Sequence, residues 1–166
     1  MTIRLLFFSL LLAGTTGSAS AQPTPPAPPA TDSATAVRAT IDALFDGMRA
    51  GDSSAVRAVF HPDARLQTAL GPADTAAVRA TSVDGFVEAV GRSHEKVWDE
   101  RIWDVQIDID GPLASAWVPY VFYHGEAFSH CGVNAIQLVR QERGWRILQL
   151  TDTRRTDCDI PADVQN

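Results

Sequence analysis

The sequence predicts an α+β fold in which helices lie on one side of a curved antiparallel sheet. Between residues 32 and 91 apolar residues recur mostly at helical spacing, whereas beyond Lys96 they alternate with polar residues at the period of a strand. Helices gathered on one face of such a sheet are typical of this class. With 166 residues, 45% of them hydrophobic, the chain has room for one domain with a full core.

The first residues predict an export signal. Arg4 precedes an apolar run over 5–12, and small residues lead to Ala21, as in a secretory leader with an A-x-A cleavage site. We expect residues 1–21 to be removed after Ala21 and the protein to be secreted or periplasmic, with no membrane contact after cleavage. An uncleaved anchor is the alternative, although the apolar run is about half the ~20 residues that a spanning helix needs.

A proline-rich linker is predicted over residues 22–33, followed by a folded domain over 34–158 and a C-terminal tail over 159–166. The charge balance is acidic, with 14 Lys and Arg against 20 Asp and Glu, and Lys96 is the one lysine. Binding to phosphate backbones or anionic lipids needs clustered basic residues, so nucleic acid and membrane surfaces are disfavoured as partners.

The first predicted helix begins at a cap formed by Asp32 or Ser33 and ends at Gly51, a residue type that commonly terminates helices. Its apolar residues recur along one face, which predicts a single buried stripe. They are Val37, Ile41, Leu44, Phe45 and Met48.

Two shorter helices are predicted after it. One begins at Asp52 or Ser53 and ends before Pro62, because proline disfavours helical geometry in the residue that precedes it. The other begins at the cap Ser82 and ends at Gly91.

The predicted strands begin with two short ones on either side of a Gly71-Pro72 turn, and they end with a long hairpin around residues 141–144. In the stretch 101–110 apolar and acidic or amide residues alternate, which indicates one wet face. The last four strands are expected to form one antiparallel meander. The predicted strands are 64–68, 76–81, 101–110, 113–124, 127–140 and 145–154.

Five short segments of the chain resemble the nuclear transport factor 2-like (NTF2-like) superfamily, which also contains ketosteroid isomerase, scytalone dehydratase and polyketide-cyclase-like proteins. The nearer resemblance is to exported bacterial members labelled as putative lumazine-binding. The resemblance implies a cone-shaped fold with an open pocket, and it is compatible with binding modules, cofactor-free enzymes and homodimers. The segments are Asp99–Trp103, Tyr120–Tyr123, Phe128–Val133, Gly144–Ile147 and Asp152–Arg155.

Polar residues in the long hairpin predict a site. If residues of the same parity share a face across the hairpin, His130, Asn134, Asp152 and Arg154 lie together at one end of it. We interpret His130 and Asp152 as a candidate acid-base pair, with Tyr120 or Asn134 donating to a ligand oxygen that gains charge. The alternative is a polar network that only satisfies itself and stabilises the sheet.

Further residues are candidates for ligand binding. Phe122 shares a strand face with Tyr120, and Trp103 supplies the aromatic area that both cores and ligand clefts use. Arg101 and Arg154 are candidates for an anionic ligand group, or else for ion pairs on a solvated rim.

Two cysteines and the histidines complete the candidate groups. In an oxidising compartment Cys131 and Cys158 are expected to be able to pair, while the alternative is a buried Cys131 and a free Cys158 in the tail. No histidine pair has helical metal-binding spacing and no CxxC or HExxH motif occurs, so neither a metal nor another cofactor is predicted.

The sequence therefore predicts an exported domain that binds an unidentified small molecule in a cone-shaped pocket. A cofactor-independent isomerase, dehydratase or cyclase that uses the His130 and Asp152 pair is the first alternative. A homodimerisation module is the second.

Overall fold

The structure is a computed structural model that describes residues 30–165. The predicted signal peptide and the predicted linker up to residue 29 lie outside the described residues. Within the described range the helices are α1 (Ala30–Ala50), α2 (Ser53–Val59), α3 (Val83–Gly91) and α4 (Ala162–Gln165). Across residues 30–165, none of the helices combines the length and the apolar character needed to cross a membrane.

The caps of α2 and α3 are the predicted ones. Asp52 Oδ1 accepts hydrogen bonds from the backbone N–H groups of Ser54 at 3.0 Å and Ala55 at 2.9 Å, which satisfies the free donors at the start of α2. Ser82 Oγ accepts from the backbone N–H of Gly85 at 3.1 Å. The start of α1 differs, because this helix begins at Ala30, inside the segment predicted as linker.

The strands form one sheet with the order β2-β1-β7-β6-β5-β3, and β4 also pairs with β5. All ladders are antiparallel except that between β1 and β7, which is parallel and was not predicted. The α+β class is confirmed. The strands are β1 (Phe60–Leu70), β2 (Ala77–Thr81), β3 (Trp98–Ile102), β4 (Gln106–Asp110), β5 (Leu113–His124), β6 (Ala127–Gln141) and β7 (Gly144–Thr153).

The stretch predicted as one strand over 101–110 is interrupted. Ile102 pairs with Tyr120 on β5 and Gln106 pairs with Trp117, so one extra residue is inserted between the two ladders. Asp104 lies in this interruption with a positive φ of 43°. An extra residue reverses which side chains face inward, so even-numbered residues of β3 and odd-numbered residues of β4 point to the same face.

A second irregularity lies in the long hairpin. Gln137 pairs with Gln149 and Leu138 with Ile147, so Leu148 is the extra residue on β7. If residues of the same parity shared a face along the whole hairpin, Leu148 would lie on the inner face with Leu150 and Asp152. The extra residue reverses the parity, so this expectation is wrong between Leu148 and the turn. Trp145 and Ile147 are buried there instead.

The core lies between α1 and the inner face of the sheet, meaning the face turned toward α1. The predicted stripe of α1 is buried along its length, and α1 packs against β3, β4 and β7. At one end of this face the filling is hydrocarbon, with Val118, Ile136, Leu138 and Ile147 fully buried. The other end contains polar side chains and a cavity.

The opposite, outer face of the sheet is partly covered by a C-terminal segment, residues 155–165. Cys131 and Arg155 exchange two backbone hydrogen bonds of 2.9 Å, and Cys131 forms a disulfide with Cys158. This is the pairing that the sequence left open. Farther along the chain, Arg101 Nη1 donates to the carbonyl oxygen of Val164 at 3.0 Å. The predicted tail is thus tied to the sheet.

Candidate functional site

A pocket of about 370 Å³ lies at the polar end of the inner face. Its walls are mostly apolar and aromatic, with α1 on one side, and Trp98 and Phe122 of the sheet opposite. The exposed side chains of His124 and Arg154 lie at its rim. A cavity of this size with an apolar wall and a few polar groups has the usual composition of a small-molecule site.

Strand register explains why the polar residues meet. Glu100 of β3 is paired with Phe122 of β5, which is paired in turn with His130 of β6. Asn134 of β6 is paired with Asp152 of β7. Paired residues point to the same side of a sheet, so these side chains converge on the pocket.

Glu100 is a buried carboxyl group among them, and its pKa is strongly raised. Its side chain is buried, and its Oε1 accepts a hydrogen bond of 2.8 Å from Nδ2 of Asn134. Burial raises the pKa of Glu100 to about 8, and the nearby charge of Asp152 adds to this effect, while Asn134 and Arg154 oppose it. Glu100 is therefore mainly a neutral carboxylic acid at neutral pH.

Asp152 lies near Glu100 and is paired with Arg154. Its Oδ2 accepts from Nε of Arg154 at 2.7 Å and lies 3.2 Å from the hydroxyl of Tyr120. Burial lowers the pKa of Arg154, but the hydrogen bond and charge of Asp152 outweigh it, so the net direction is upward. Burial also raises the pKa of Tyr120, whose hydroxyl donates to the Thr153 carbonyl oxygen at 2.9 Å. Asp152 and Arg154 form an ion pair beside a neutral phenol.

His130 is held at the side of this cluster. Its Nδ1 lies 3.0 Å from Ser129 Oγ, and its ring centroid lies 5.1 Å from that of Phe122 and 5.7 Å from that of Tyr120. Burial lowers the pKa of His130, and the positive charge of Arg154 lowers it further. A neutral imidazole at the pocket wall follows.

Gly132 lets β6 and β7, two of the strands that line the pocket, approach each other closely. A Cβ atom at this position would lie 1.9 Å from the carbonyl oxygen of Thr153 and 3.0 Å from Cε1 of Tyr120. The first distance is far inside van der Waals contact with backbone, which cannot move without disturbing β7. Glycine at 132 is therefore required for the position of Tyr120 and of the end of β7.

A family model described as putative lumazine-binding matches residues 32–151, which is most of the chain. The chain belongs to the putative lumazine-binding family. This confirms the resemblance that the sequence indicated. A comparison with curated proteins found no match.

Solved structures show the fold that goes with this family. An NTF2-like protein of unknown function from Shewanella baltica OS155 is 16% identical over 79% of this chain and 100% of its own, with a TM-score of 0.62. An NTF2-like protein with a cystatin-like fold from Novosphingobium aromaticivorans is 14% identical over 81% and 88%, also at 0.62. A putative dehydratase from the NTF2-like family of Streptomyces avermitilis is 15% identical over 76% and 98%, at 0.57. At these identities the likeness shows the fold alone.

In this member of the putative lumazine-binding family, six of the predicted site residues line one pocket. The direct contact expected between His130 and Asp152 is not made, because the carboxylate of Asp152 holds Arg154 and His130 contacts Ser129. Among residues 30–165, no three His, Cys, Asp or Glu side chains are grouped as metal ligands would be. The six predicted site residues that line the pocket are Tyr120, Phe122, His130, Asn134, Asp152 and Arg154.

The structure does not bring Arg101 and Trp103 to the pocket. Arg101 points to the outer face, where its Nε donates to Asp99 at 2.8 Å and its guanidinium lies 4.8 Å from the centre of the Tyr123 ring. Trp103 lies in the interruption between β3 and β4, and its backbone N–H donates to the Pro119 carbonyl at 3.3 Å. Arg101 was selected from the sequence for its charge and Trp103 for its aromatic area, and neither property determines which face of the sheet a residue occupies.

Glu100 was not selected from the sequence. A signal was present, because apolar residues occupy even positions 98 and 102 and then odd positions 103, 105 and 107. Apolar neighbours at 102 and 103 mark a change of parity, and this change places Glu100 inward with Trp98 and Ile102.

Proposed function

We propose that this protein binds a small, mainly apolar molecule in the pocket between α1 and the sheet. One observation carries the proposal: a cavity of about 370 Å³ with an apolar wall is also lined by buried polar groups, namely Glu100 on β3, Asn134 on β6 and Asp152 on β7. A core built only for stability does not keep such groups beside an unfilled volume, since cavities and buried polar atoms are both destabilising. The family description, which refers to a ligand, supports the same direction.

The test uses the neutral fluorescent probe N-phenyl-1-naphthylamine, whose emission rises and shifts to the blue in an apolar site. Ser129 lines the pocket near its rim, so Ser129→Trp is expected to block it and to weaken probe binding at least tenfold. Ser115→Trp places the same side chain on the exposed outer face of β5 and is the matched control. Absence of binding to the wild type, or equal binding to both variants when both are folded, would rule the proposal out.

A second candidate is a proton-transfer enzyme, and the observation that favours it is the pKa of Glu100 at about 8. A carboxyl that titrates near physiological pH is suited to act as general acid or base. In this version Glu100 takes the role first assigned to the pair of His130 and Asp152. The putative dehydratase among the structural neighbours points the same way.

Hydrogen–deuterium exchange at the carbon next to a bound ketone distinguishes the enzyme from the binding module. If Glu100 moves protons, the wild type accelerates exchange of the methyl protons of 2-acetylnaphthalene, and Glu100→Gln reduces the rate about 100-fold or more. Proton NMR in D₂O measures the rate of this exchange. Exchange at the uncatalysed rate with bound ketone leaves binding as the function.

Self-association and export stay predictions. On the outer face of β5, Trp117 is 53% exposed and Leu113 is 49% exposed, which favours a contact with a second copy. Sedimentation velocity of wild type and Trp117→Asp checks this, with a shift from dimer to monomer expected. Export is supported by the sequence of residues 1–21, and an N-terminus at Gln22 in protein recovered from outside the cytoplasm would verify it.

A further inference from the structure

The hydrogen bond between Asn134 and Glu100 determines which carboxyl oxygen is available to a ligand. Asn134 Nδ2 is a donor, so Glu100 Oε1 acts as the acceptor in this contact, and the proton of the neutral acid resides on Oε2. Glu100 lines the pocket. Its proton-bearing oxygen is therefore the one that a bound molecule can reach.

The neighbouring polar groups are already engaged with each other. Asp152 is held by Arg154 and Tyr120, and His130 is in contact with Ser129. Among residues 30–165, Oε2 of Glu100 has no hydrogen-bond partner. No side-chain oxygen in that range is both fully buried and without a partner, so Oε2 is open to the pocket, where a ligand atom can accept its hydrogen bond.

The charges around Glu100 restrict the ligand further. From β7 the Asp152 carboxylate and the Arg154 guanidinium act on it as a neutral pair, from β5 the Tyr120 phenol is uncharged, and from β6 Asn134 is an amide. A free anion would face the carboxylate of Asp152, and a free cation would face a guanidinium that is already paired. An uncharged ligand avoids both penalties.

We propose that the ligand is an uncharged, largely apolar molecule with a carbonyl oxygen or equivalent acceptor, and that Glu100 selects it by donating a hydrogen bond from Oε2. This inference rests on the proposed binding function and names its ligand class. It has a pH consequence, since the donor is lost when Glu100 ionises above pH 8.

Four naphthalene probes test the class, each measured by displacement of N-phenyl-1-naphthylamine at pH 6.5 and pH 9.5. They share one apolar ring system and differ at one substituent: 2-acetylnaphthalene has an acceptor, 2-ethylnaphthalene has none, 2-naphthoate is an anion and 2-naphthylmethylamine is a cation. The wild type is expected to bind the ketone at least tenfold more tightly than the hydrocarbon at pH 6.5. At pH 9.5 the two are expected to bind equally.

Three variants sharpen the result. Glu100→Gln keeps an N–H donor that does not ionise, so its preference for the ketone is expected at both pH values. Glu100→Leu has no donor and is expected to lose the preference at both. Asp99→Asn, altered at the neighbouring residue outside the pocket, is the control and is expected to behave as the wild type.

The outcomes separate this inference from the function on which it rests. Equal binding of ketone and hydrocarbon by the wild type at pH 6.5, or tighter binding of the anion or the cation, overturns the ligand class and leaves the binding function standing. If N-phenyl-1-naphthylamine binds and none of the four probes displaces it, the ligand class is overturned and the binding function stands. If N-phenyl-1-naphthylamine itself does not bind, both are overturned.

Discussion

Asp99 and Glu100 are adjacent carboxyl groups on opposite faces of β3, and the structure treats them in opposite ways. Asp99 contacts two guanidinium groups, with Nε of Arg49 and Nε of Arg101 each 2.8 Å from its oxygens. Burial raises the pKa of Asp99, but these two arginines outweigh burial and hold it below the usual value. Among residues 30–165, the side chain of Glu100 forms a hydrogen bond with the amide of Asn134 alone, and its pKa is raised to about 8.

The comparison shows how a structural carboxyl differs from one available for function. On the outer side, Asp99 is paired with two arginines, and the carbonyl oxygen of Val164 in the C-terminal segment accepts from one of them. On the inner side, one oxygen of Glu100 has no partner among residues 30–165 and is open to the pocket, where a ligand can supply one.

The largest expected effect concerns the pH dependence of stability. The folded pKa of Glu100, about 8, lies above its ordinary value of 4.5, so the folded state keeps a proton that the unfolded chain has released. Stability from this group is fully present below pH 4.5 and is lost as the pH rises to 8, by an amount on the order of 4 kcal/mol. Denaturant unfolding from pH 5 to 9 should show this decline in the wild type and not in Glu100→Gln. If the stability of the wild type and of Glu100→Gln changed with pH in the same way, the contrast drawn between Glu100 and Asp99 would be wrong.

Removing the disulfide tests the outer side alone. The bridge between Cys131 and Cys158 spans 27 residues, and loss of such a loop constraint in Cys158→Ser is expected to lower the free energy of unfolding by roughly 3 to 4 kcal/mol. Wild type unfolded with a reductant present should match the variant. The decline of stability with pH should persist in both, because Glu100 lies on the other face; its disappearance would show that the two faces are coupled.

Gly132→Ala tests the inner side through its backbone. The added Cβ collides with the Thr153 carbonyl and presses on Tyr120, so we expect a loss of about 2 kcal/mol. Gly85→Ala is the control, since its Cβ would have ordinary contacts of 3.8 Å with Ser82 in a helix that favours alanine. Thermal unfolding compares them, and equal melting temperatures would mean that β6 and β7 can separate freely.

The smallest effect is expected for Asp99→Asn. Because its arginine partners are partly exposed, the ion pairs are expected to contribute roughly 1 kcal/mol at pH 7, and less in high salt. The pKa of Asp99 is lowered, so this stability is present above pH 3.8 and is lost as the pH falls further. Asp108→Asn, an exposed carboxylate of β4, is the control. If Asp99→Asn lowered the free energy of unfolding no more than the control does, the ion pairs of Asp99 would not stabilise the fold.

Much of the fold could be predicted from local pattern. The stripe of α1, the caps Asp52 and Ser82, and the hairpin around residues 141–144 were all visible, because each depends on residues close together in the chain. Four site residues, His130, Asn134, Asp152 and Arg154, were placed on one face for the same reason. Arg101 and Trp103 were selected for residue type alone and lie outside the pocket, and Glu100 was missed because the change of parity near Asp104 was not recognised.

By itself the sequence determined the class of fold, the order of its elements and the presence of polar residues on strands that are otherwise apolar. Only the tertiary structure decided which carboxyl faces the pocket, that Asp152 holds Arg154 rather than His130, and that the C-terminal segment lies on the outer face. The physical reason is that a strand alternates sides at every residue, so a single inserted residue reverses all that follow. Partners distant in the chain are chosen by the register of the whole sheet.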